Sequence, residues 1–428
     1  MDSKLRTMTI AICVGVVILV LIIVFGSNIE KFTGKGTGKN KGALVSASED
    51  MENSGKARKT ENGYEIGEDL YAYQNEESFF DKEMTKYDQY VKKHKTLSMI
   101  TTSVEKDLRI KVIDYDGNVL TDVALEVTVE GKGDYKDTDK DGIIYIPYIK
   151  AGEYNLYLKE VEGYEVPKEP LVVDVKAQVE YVPIDDIKAL IKTEDEIDPE
   201  KDDKDYLDMA ADTDTTEITK LMTTAENAKV GIDVSKYQGE IDWKKVADAG
   251  VKFAIIRCGY RGYSTGSLVI DPYFEKNLKG ASSNGIDVGV YFFSQAINEV
   301  EAVEEASMVL SQIKRQFVPY PIFIDSEASG GDGRADKLES DKRTAICRAF
   351  CETIESEGYN AGVYASKNWF NNRLNASELE KYIIWLAEYR EAPTYEGVYN
   401  MWQHSSKGQI DGITGNVDLD LSYIEVKR

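Results

Sequence analysis

The spacing of apolar residues changes from region to region along the chain. Met8 to Phe25 is an uninterrupted apolar run that, as a helix, would cross about 27 Å of hydrocarbon. From Leu108 to about Pro183, apolar and polar residues alternate between turn dipeptides such as Asp-Gly and Lys-Gly, which is typical of a small β-sandwich. From residue 229 to 428, short apolar strands alternate with amphipathic helical stretches. The pattern therefore predicts a multidomain protein with an N-terminal transmembrane helix, an all-β middle domain and a C-terminal α/β domain.

These patterns divide the chain into seven segments. We expect a cytoplasmic tail at 1–7, a transmembrane helix at 8–26, a flexible tether at 27–68, a short helical region at 69–103, a β-sandwich at 104–184, an acidic linker at 185–228 and a barrel at 229–428. The tether is rich in Gly, Lys, Ser and Asn, and such a composition cannot bury enough apolar surface to fold.

A cleaved signal peptide is the alternative interpretation of the N-terminal run. A retained anchor is favoured, because the run is longer than a usual signal-peptide core and the residues after Phe25 make a poor cleavage site. Lys4 and Arg6 precede the run, whereas Lys31, Lys35, Lys39 and Lys41 follow it, which contradicts the positive-inside rule for an N-terminus in the cytoplasm. The expected orientation therefore rests on the substrate of the C-terminal domain.

Eight candidate strands in the C-terminal region predict a (β/α) barrel similar to a TIM barrel, with parallel strands. They are Gly231–Val234, Phe253–Arg257, Val288–Phe293, Pro321–Asp325, Ala361–Tyr364, Ile383–Ala387, Met401–His404 and Val417–Leu419. Helix signals lie between them, including Asp242 as a cap and Asn298 with Glu301 as a capping-box-like start. In such a barrel the chemistry lies at the carboxyl ends of the strands.

Composition narrows the partners and the chemistry. A formal net charge of −24 argues against nucleic acid and against an anionic lipid surface as the main partner. The chain has only two histidines, His94 and His404, which argues against histidine-based hydrolysis and against a His-ligated zinc site. Cys347 and Cys351 lie one helical turn apart and are interpreted as core thiols rather than a bridge or a metal pair.

Four carboxylates fall at or near the ends of predicted barrel strands. Asp233 ends the first strand, Asp325 and Glu327 end the fourth, and Asp418 lies on the last. Asp325 and Glu327 are two residues apart, so on a strand both side chains would leave the same face. Crowded like charges raise the pKa of one carboxyl group, which can then donate a proton to a glycosidic oxygen.

Eight sequence blocks in this region together resemble glycoside hydrolase family 25, the barrel-fold N-acetylmuramidases. They are GIDVSKYQGEIDW, FAIIRCGY, GVYFFSQA, PIFIDSE, GVYAS, WLAEY, MWQHSS and GNVDLD. The resemblance implies that Glu327 is the proton donor, that Asp325 is its partner carboxylate and that Asp233 and Asp418 are two outer acids. It also implies cleavage of the β-1,4 bond from N-acetylmuramic acid to N-acetylglucosamine. This chain departs from the family pattern at Phe292, where many relatives have His, and at Asp420, where Asn is common.

A sugar groove is expected beside these acids, because flat rings stack on pyranose faces and amides hydrogen-bond hydroxyl groups. The residues expected to line it are Tyr291, Phe293, Tyr364, Trp385, Trp402 and Gln403. Water could attack directly, with inversion, or the N-acetyl group of the sugar could attack first; substrate assistance is preferred. No metal and no cofactor is expected.

The middle domain resembles the prealbumin-like modules (Cna B-type or SpaA-like) that serve as stalks in Gram-positive surface proteins, chiefly through TDKDGIIYIPYIKAGEYNLYLKEVEGYEVP. Lys111 lies where such modules can supply the amine of an isopeptide cross-link, but the last strand offers no Asn, so no cross-link is predicted. Asp137, Asp139 and Asp141 mimic the start of a calcium loop; a hairpin turn is the preferred interpretation, because the twelfth position is Tyr148 rather than Glu.

Together these features predict a peptidoglycan hydrolase held in the cell membrane by a single helix, with its catalytic domain outside the cell and facing the wall. The expected partners are peptidoglycan glycan strands and the membrane. The alternatives are a surface protein that binds wall glycan without cleaving it, and a structural tether between membrane and wall.

Overall fold

The computed structural model describes residues 57–60, 63–66, 95–202, 228–313 and 316–426. The chain divides into two compact units, Met1–Gln89 and Tyr90–Arg428. The predicted cytoplasmic tail and the transmembrane helix at 8–26 lie outside the described residues, as do most of the tether and helical region and the linker from residue 203. Within the described ranges no helix is both long and apolar enough to cross a membrane.

In the first unit, β1 (Ala57–Thr60) and β2 (Gly63–Ile66) form an antiparallel hairpin. This hairpin lies inside the segment predicted as a flexible tether at 27–68.

The middle domain is a sandwich of two antiparallel sheets, as predicted. One sheet has the order β3-β4-β7 and the other has the order β6-β5-β8-β9. The strands are β3 (Ser98–Thr102), β4 (Leu108–Ile113), β5 (Glu126–Val129), β6 (Gly133–Lys136), β7 (Ile143–Ile146), β8 (Gly152–Leu158) and β9 (Leu171–Val175). Alternate apolar residues of both sheets form one core. Because β3 belongs to the sandwich, the domain begins before the predicted boundary at residue 104.

The segment after the sandwich packs against the barrel up to Asp202. It contains single 3₁₀ turns at Ile187–Leu190 and Glu194–Glu196, the short strand β10 (Ile191–Lys192) and the helix α1 (Pro199–Asp202). Strand β10 pairs in parallel with β13 (Leu268–Ile270) of the C-terminal domain. The interpretation of 185–202 as a solvated linker was therefore wrong: its acidic residues alternate with Ile187, Leu190 and Ile191, which contact the barrel core.

In the C-terminal domain, eight strands close into a barrel within residues 228–426, and each predicted strand overlaps one of them. They are β11 (Lys229–Val234), β12 (Phe253–Arg261), β14 (Asp287–Phe293), β15 (Ile322–Asp325), β16 (Ala361–Ser366), β17 (Ile383–Ala387), β18 (Met401–Gly408) and β19 (Val417–Ser422). Pairing of β12 with both β11 and β14, and of β19 with both β18 and β11, closes the ring.

The prediction that all barrel strands are parallel was wrong for the last one. Strand β19 is antiparallel to β18 and to β11. A parallel connection needs a crossover of a dozen or more residues, whereas residues 409–416 are too few and form a hairpin connection instead.

Helices cover the outside of the barrel. They are α2 (Trp243–Asp248), α3 (Phe274–Ser283), α4 (Glu299–Ile313), α5 (Ser340–Ser356), α6 (Lys367–Asn372) and α7 (Ala376–Leu379). Their apolar faces share a large core with the outward side chains of the strands. The caps predicted at Asp242 and Asn298 are confirmed: each carboxyl or amide oxygen accepts a backbone N–H three residues later, from Lys245 and Glu301 respectively.

A second, smaller core fills the inside of the barrel with aromatic rings, including Phe253, Phe323 and Trp385. Gly231 is required beside Phe253, since a Cβ at that position would lie only 2.4 Å from the ring.

The three cysteines of the described residues, Cys258, Cys347 and Cys351, are buried free thiols, which confirms the interpretation of Cys347 and Cys351 as core residues.

Candidate active site

The inward-facing residues of three strands bring carboxylates to one end of the barrel. Asp233, near the end of β11, lies directly opposite Asp418 in the register of β11 with β19. Asp325 is the last residue of β15. Asp418 is the second residue of β19, so it reaches the same end only because β19 runs against its neighbours. The antiparallel strand is thus the reason that the carboxylates of β11 and β19 meet.

Glu327 lies two residues beyond β15, in the loop that follows the strand, and not on the strand as predicted. The carboxylate of Asp336 fixes this loop by accepting backbone N–H groups from Ser329 at 2.9 Å, Gly331 at 2.7 Å and Gly333 at 3.0 Å. The half-buried Glu327 therefore extends from a loop with an internal anchor, and its direction is set by that loop rather than by strand alternation.

The four carboxylates lie close enough to two tyrosine side chains, Tyr364 and Tyr389, to raise the pKa of their phenols. Burial raises the pKa of the Tyr364 phenol well above its usual value, and the nearby charges of Glu327, Asp325 and Asp233 raise it further. Burial likewise raises the pKa of Tyr389, with further contributions from Asp418, Glu327 and Asp233. The four predicted carboxylates are thus brought together around this pair of phenols.

A hydrogen-bond network ties the phenols to Asp233. The Gln403 side chain donates from Nε2 to Oδ2 of Asp233 at 2.8 Å. Its Oε1 accepts from the hydroxyl groups of Tyr364 at 2.8 Å and Tyr389 at 3.1 Å. Because both the nitrogen and the oxygen of the Gln403 amide make hydrogen bonds, the side chain is held in place and fixes the orientation of Asp233.

Asp420, which the sequence analysis noted only as a departure from the family pattern, is a buried partner of Asp233. It follows Asp418 on the same face of β19, and its Oδ1 accepts the indole N–H of Trp385 at 2.8 Å. Burial raises its pKa, and the nearby Asp418 charge adds to this, to about 8. Burial and the neighbouring Asp420 also raise the pKa of Asp233 well above its usual value. With a pKa of about 8, Asp420 holds a proton near neutral pH, so the pair carries one negative charge at most.

The six predicted groove residues lie in different surroundings. Tyr291 is half-buried and packs with the aromatic rings inside the barrel, its ring centroid 6.2 Å from that of Trp385, whereas Tyr364 and Gln403 belong to the hydrogen-bond network of Asp233. Trp385 is only 1% exposed and packs against Tyr364 with ring centroids 4.6 Å apart, which makes it part of the barrel filling and leaves no ring face for a sugar.

Phe293 and Trp402 also differ from the expectation. Phe293 packs in a small cluster with Tyr260 and Val269 that Ile197 partly covers. Trp402 is 5% exposed in the core between strands and helices, where its indole N–H donates to the carbonyl oxygen of Glu388 at 2.8 Å. Side chains alternate along a strand, so Gln403 and Trp402 cannot both face the barrel interior. The neighbouring His404 is buried next to Trp402, with ring centroids 5.4 Å apart.

Among the described residues, one group of carboxylates, Asp137, Asp139 and Asp141 of the sandwich, has oxygens close enough to share a metal ion. Both oxygens of Asp137 already accept backbone N–H groups, from Lys140 at 2.8 Å and Gly142 at 2.9 Å. Aspartate side chains in turns accept backbone N–H groups in this way, so the hydrogen bonds of Asp137 support the hairpin interpretation.

The comparisons with known proteins match both folded domains. The family model for glycosyl hydrolases family 25 matches residues 232–413, and the model for the SpaA prealbumin-like fold domain matches residues 106–188. The uncharacterised protein YegX of Escherichia coli O157:H7 is 32% identical over 200 residues, which cover 45% of this chain and 68% of the relative. The autolytic lysozyme of Clostridium acetobutylicum is 27% identical over 191 residues, which cover 44% of this chain and 54% of that enzyme.

Among solved structures, the modular autolysin LytC from Streptococcus pneumoniae, in complex with a synthetic peptidoglycan ligand, is 31% identical with a TM-score of 0.42. The match covers 46% of this chain and 47% of that one, so the chain spans about half the length of this relative. The family model and the E. coli relative both match the barrel, and on these two matches the chain belongs to glycosyl hydrolases family 25.

Proposed function

We propose that this protein is a peptidoglycan hydrolase, an N-acetylmuramidase that cleaves the β-1,4 bond between N-acetylmuramic acid and N-acetylglucosamine. The observation that carries the proposal is the convergence of Asp233, Asp325, Glu327 and Asp418 around the phenols of Tyr364 and Tyr389. Family membership supports it, as do two relatives named as lysozymes, from Clostridium acetobutylicum and Streptomyces globisporus.

In the proposed mechanism Glu327 protonates the leaving glycosidic oxygen. The N-acetyl group of the muramic acid attacks the anomeric carbon, and Asp325 stabilises the positive charge of the oxazolinium-like intermediate. Water then opens this intermediate with the help of Glu327 as a base. The half-buried position of Glu327 at the mouth allows it to reach a polymer, whereas Asp325, almost fully buried, is suited to act on the charge that develops beneath the sugar.

The Asp233 and Asp420 pair limits the negative charge under the mouth. A proton on Asp420 leaves that pair with one charge at most near pH 7, so Asp325 has a weaker repulsive neighbour than two ionised groups would make. Asp233 and Asp418 then act as the two outer acids that orient water and sugar hydroxyl groups, Asp418 from the half-buried start of β19 and Asp233 from its buried position beside Gln403.

The membrane-anchored location is part of the same proposal. The apolar run at 8–26 would hold the N-terminus in the cytoplasmic membrane, and the barrel would lie outside the cell, where its substrate is. Protease treatment of intact cells should then remove the barrel; a barrel that stays protected while an outer-face control protein is cut would contradict this orientation.

The activity is tested by mass spectrometry of the fragments that the full-length chain releases from peptidoglycan. Reducing-end muramic acid is expected from the wild type and should be absent with Glu327→Gln. Glu339→Gln, which changes an exposed glutamate at the far end of the same loop, is the matched control and should leave the products unchanged. Reducing-end glucosamine would mean a different bond specificity, and retained wall binding without products would favour the non-catalytic binding protein.

A further inference from the structure

A buried cluster of six charged residues joins the sandwich to the barrel, and we call it the interdomain ion-pair cluster. It consists of Lys111 on β4, Arg261 on β12, Glu301, Glu304 and Glu305 on α4, and Arg334 in the loop after β15. Lys111 comes from the sandwich and the other five residues from the barrel. None of them is among the carboxylates assigned to hydrolysis.

The contact between the domains is the ion pair of Lys111 with Glu304. The Lys111 Nζ lies 2.6 Å from Oε1 of Glu304, and the two side chains are only 14% and 3% exposed. Glu304 in turn lies 3.1 Å from Nη2 of Arg261, whose Nε donates to Glu305 at 2.8 Å. Arg261 also donates to the Gly266 carbonyl oxygen at 2.8 Å, so its guanidinium is fixed on several sides.

The same cluster holds the loop that carries Glu327. Arg334, seven residues after Glu327, makes a two-point ion pair with Glu301, at 2.6 Å and 3.0 Å, and donates to the carbonyl oxygen of Gln295 at 3.1 Å. Glu301 is on the same turn of α4 as Glu304. Lys111 is therefore connected to the Glu327 loop through one short stretch of helix.

Charge balance in the cluster depends on the sandwich. The barrel supplies two cations, Arg261 and Arg334, and three carboxylates, and Lys111 supplies the third cation. Although burial alone would raise the pKa of Glu304, Lys111 and Arg261 hold it below its usual value. Burial raises the pKa of Glu305 to about 7, so the cluster already lies close to the point at which one carboxylate takes up a proton. Without Lys111 the cluster would hold three carboxylates and two cations, so one carboxylate would either remain uncompensated, which is strongly unfavourable, or take up a proton and lose its ion pair.

Other contacts fix the sandwich against α4 and make the Lys111 position definite. The hydroxyl group of Tyr181 donates to Glu299 at 2.8 Å, and the backbone N–H of Ile184 donates to Oγ of Ser307 at 3.0 Å. In the segment that follows the sandwich, Asp202, only 2% exposed, accepts from the backbone N–H and the hydroxyl group of Thr265 at 2.8 Å and 2.6 Å, which ties that segment to the barrel. The sandwich is thus docked on the helix whose first turns carry the cluster.

We propose that Lys111 is a positioning residue for the hydrolytic reaction, because it completes the ion-pair cluster that holds the Glu327 loop, and that the sandwich is a working part of the enzyme rather than a spacer. This inference rests on the proposed function for its kinetic consequence. Its structural consequence, a change in the stability of the loop, does not depend on activity.

The test uses the full-length chain with Lys111→Met, which keeps most of the aliphatic stem and removes the charge. We expect kcat on peptidoglycan to fall about tenfold with KM nearly unchanged, because the acid is misplaced while sugar binding is kept. Backbone hydrogen exchange at residues 327–338 should become faster. Lys136→Met, which changes an exposed lysine on β6 of the same sandwich, is the matched control and should leave kcat and the exchange unchanged.

The double variant Lys111→Met/Glu304→Gln restores charge balance and keeps the test valid where the single variant folds poorly. It should recover most of the lost kcat and slow loop exchange again. A wild-type kcat and wild-type loop exchange in Lys111→Met would overturn the proposal, as would a folded double variant that stays as slow as the single one. If the wild type cleaves no glycan, the proposed function fails, and loop exchange alone decides whether Lys111 holds the loop.

Discussion

The indole Nε1 of Trp385 donates a hydrogen bond of 2.8 Å to Oδ1 of Asp420, in the interior of the barrel below the carboxylates at its mouth. Both side chains are fully buried, and the bond joins β17 to β19 across the barrel. Burial and the nearby Asp418 charge raise the pKa of Asp420, and the Trp385 donor opposes them by stabilising the ionised carboxylate. The bond also explains why a tryptophan expected to contact sugar is instead enclosed.

Replacing the acid with its neutral isostere should stabilise the protein in a pH-dependent way. The folded pKa of Asp420, about 8, lies above its ordinary value of 3.8, so the folded state holds a proton that the unfolded state loses. This cost is absent below about pH 4, grows with rising pH and is complete above about pH 8. Asp420→Asn should thus raise the free energy of unfolding by about 5 kcal/mol at pH 8 and by less than about 1 kcal/mol at pH 4.

The measurement is urea unfolding at several pH values. Asp411→Asn, at an exposed site, is the control and should show no such trend. A gain that is equal at pH 4 and pH 8 would contradict a raised pKa for Asp420.

Removing the indole donor should destabilise the fold. Trp385→Phe keeps much of the ring packing but leaves the Asp420 oxygen without its N–H partner, at a cost of about 1–3 kcal/mol. Trp243→Phe is a matched control, because the Trp243 N–H reaches a neutral acceptor, Asn277, at a longer 3.3 Å. Thermal unfolding at pH 7 compares the two. Equal losses would mean that ring packing, and not the bond to Asp420, accounts for the effect.

Substrate assistance predicts retention of configuration at the anomeric carbon, since two successive displacements occur there. The first product seen by proton NMR should be the β-anomer of the muramic acid reducing end. Removing the N-acetyl group from muramic acid should slow cleavage sharply, whereas removing it from the glucosamine should matter much less. An α-anomer as first product would exclude the mechanism.

Asp325→Asn should lower kcat by about 100-fold or more with a small change in KM, because the residue acts on charge that develops during the reaction. The initial rate of reducing-end release measures this effect. Asp341→Asn, on the outer helix α5, is the control. A purely raised KM would instead assign Asp325 to sugar binding.

The predicted anchor has its own test. The full-length chain should stay with membranes after alkaline washing, and a chain that begins at residue 27 should be released. Two lysines placed at Val17 and Leu19 should also release it, because each charge at the centre of a membrane helix costs about 2.5–3.5 kcal/mol. Membrane retention of that variant would mean that another part of the chain holds it there.

The sequence predicted the positions of the barrel strands well, because short apolar segments separated by capped helices leave a clear pattern. It predicted their direction less well. Apolar periodicity is the same for parallel and antiparallel strands, although the short connection between Gly408 and Val417 carried the missing information. The carboxylates at the mouth were found from their places near strand ends, and Asp420 could have been found too, since it shares a face with Asp418.

The predictions that failed concern side-chain direction and inter-element contact. Trp402 was assigned to the groove with Gln403, although adjacent strand residues point to opposite faces. Trp385 was expected to be accessible because tryptophan often binds sugars, but the barrel interior needed a large ring next to Phe323. The acidic composition of 185–202 concealed its contacts with the barrel, because composition does not show which of the carboxylates meet a partner.

The division of charge in the interdomain ion-pair cluster limits how these two modules can change during evolution. A different prealbumin-like module joined to this barrel would leave Glu304 without its cation unless a basic residue stood at the position of Lys111. Conversely, a barrel with a neutral residue in place of Glu304 would leave that lysine unpaired. A substitution on one side of the boundary would therefore favour a matching substitution on the other.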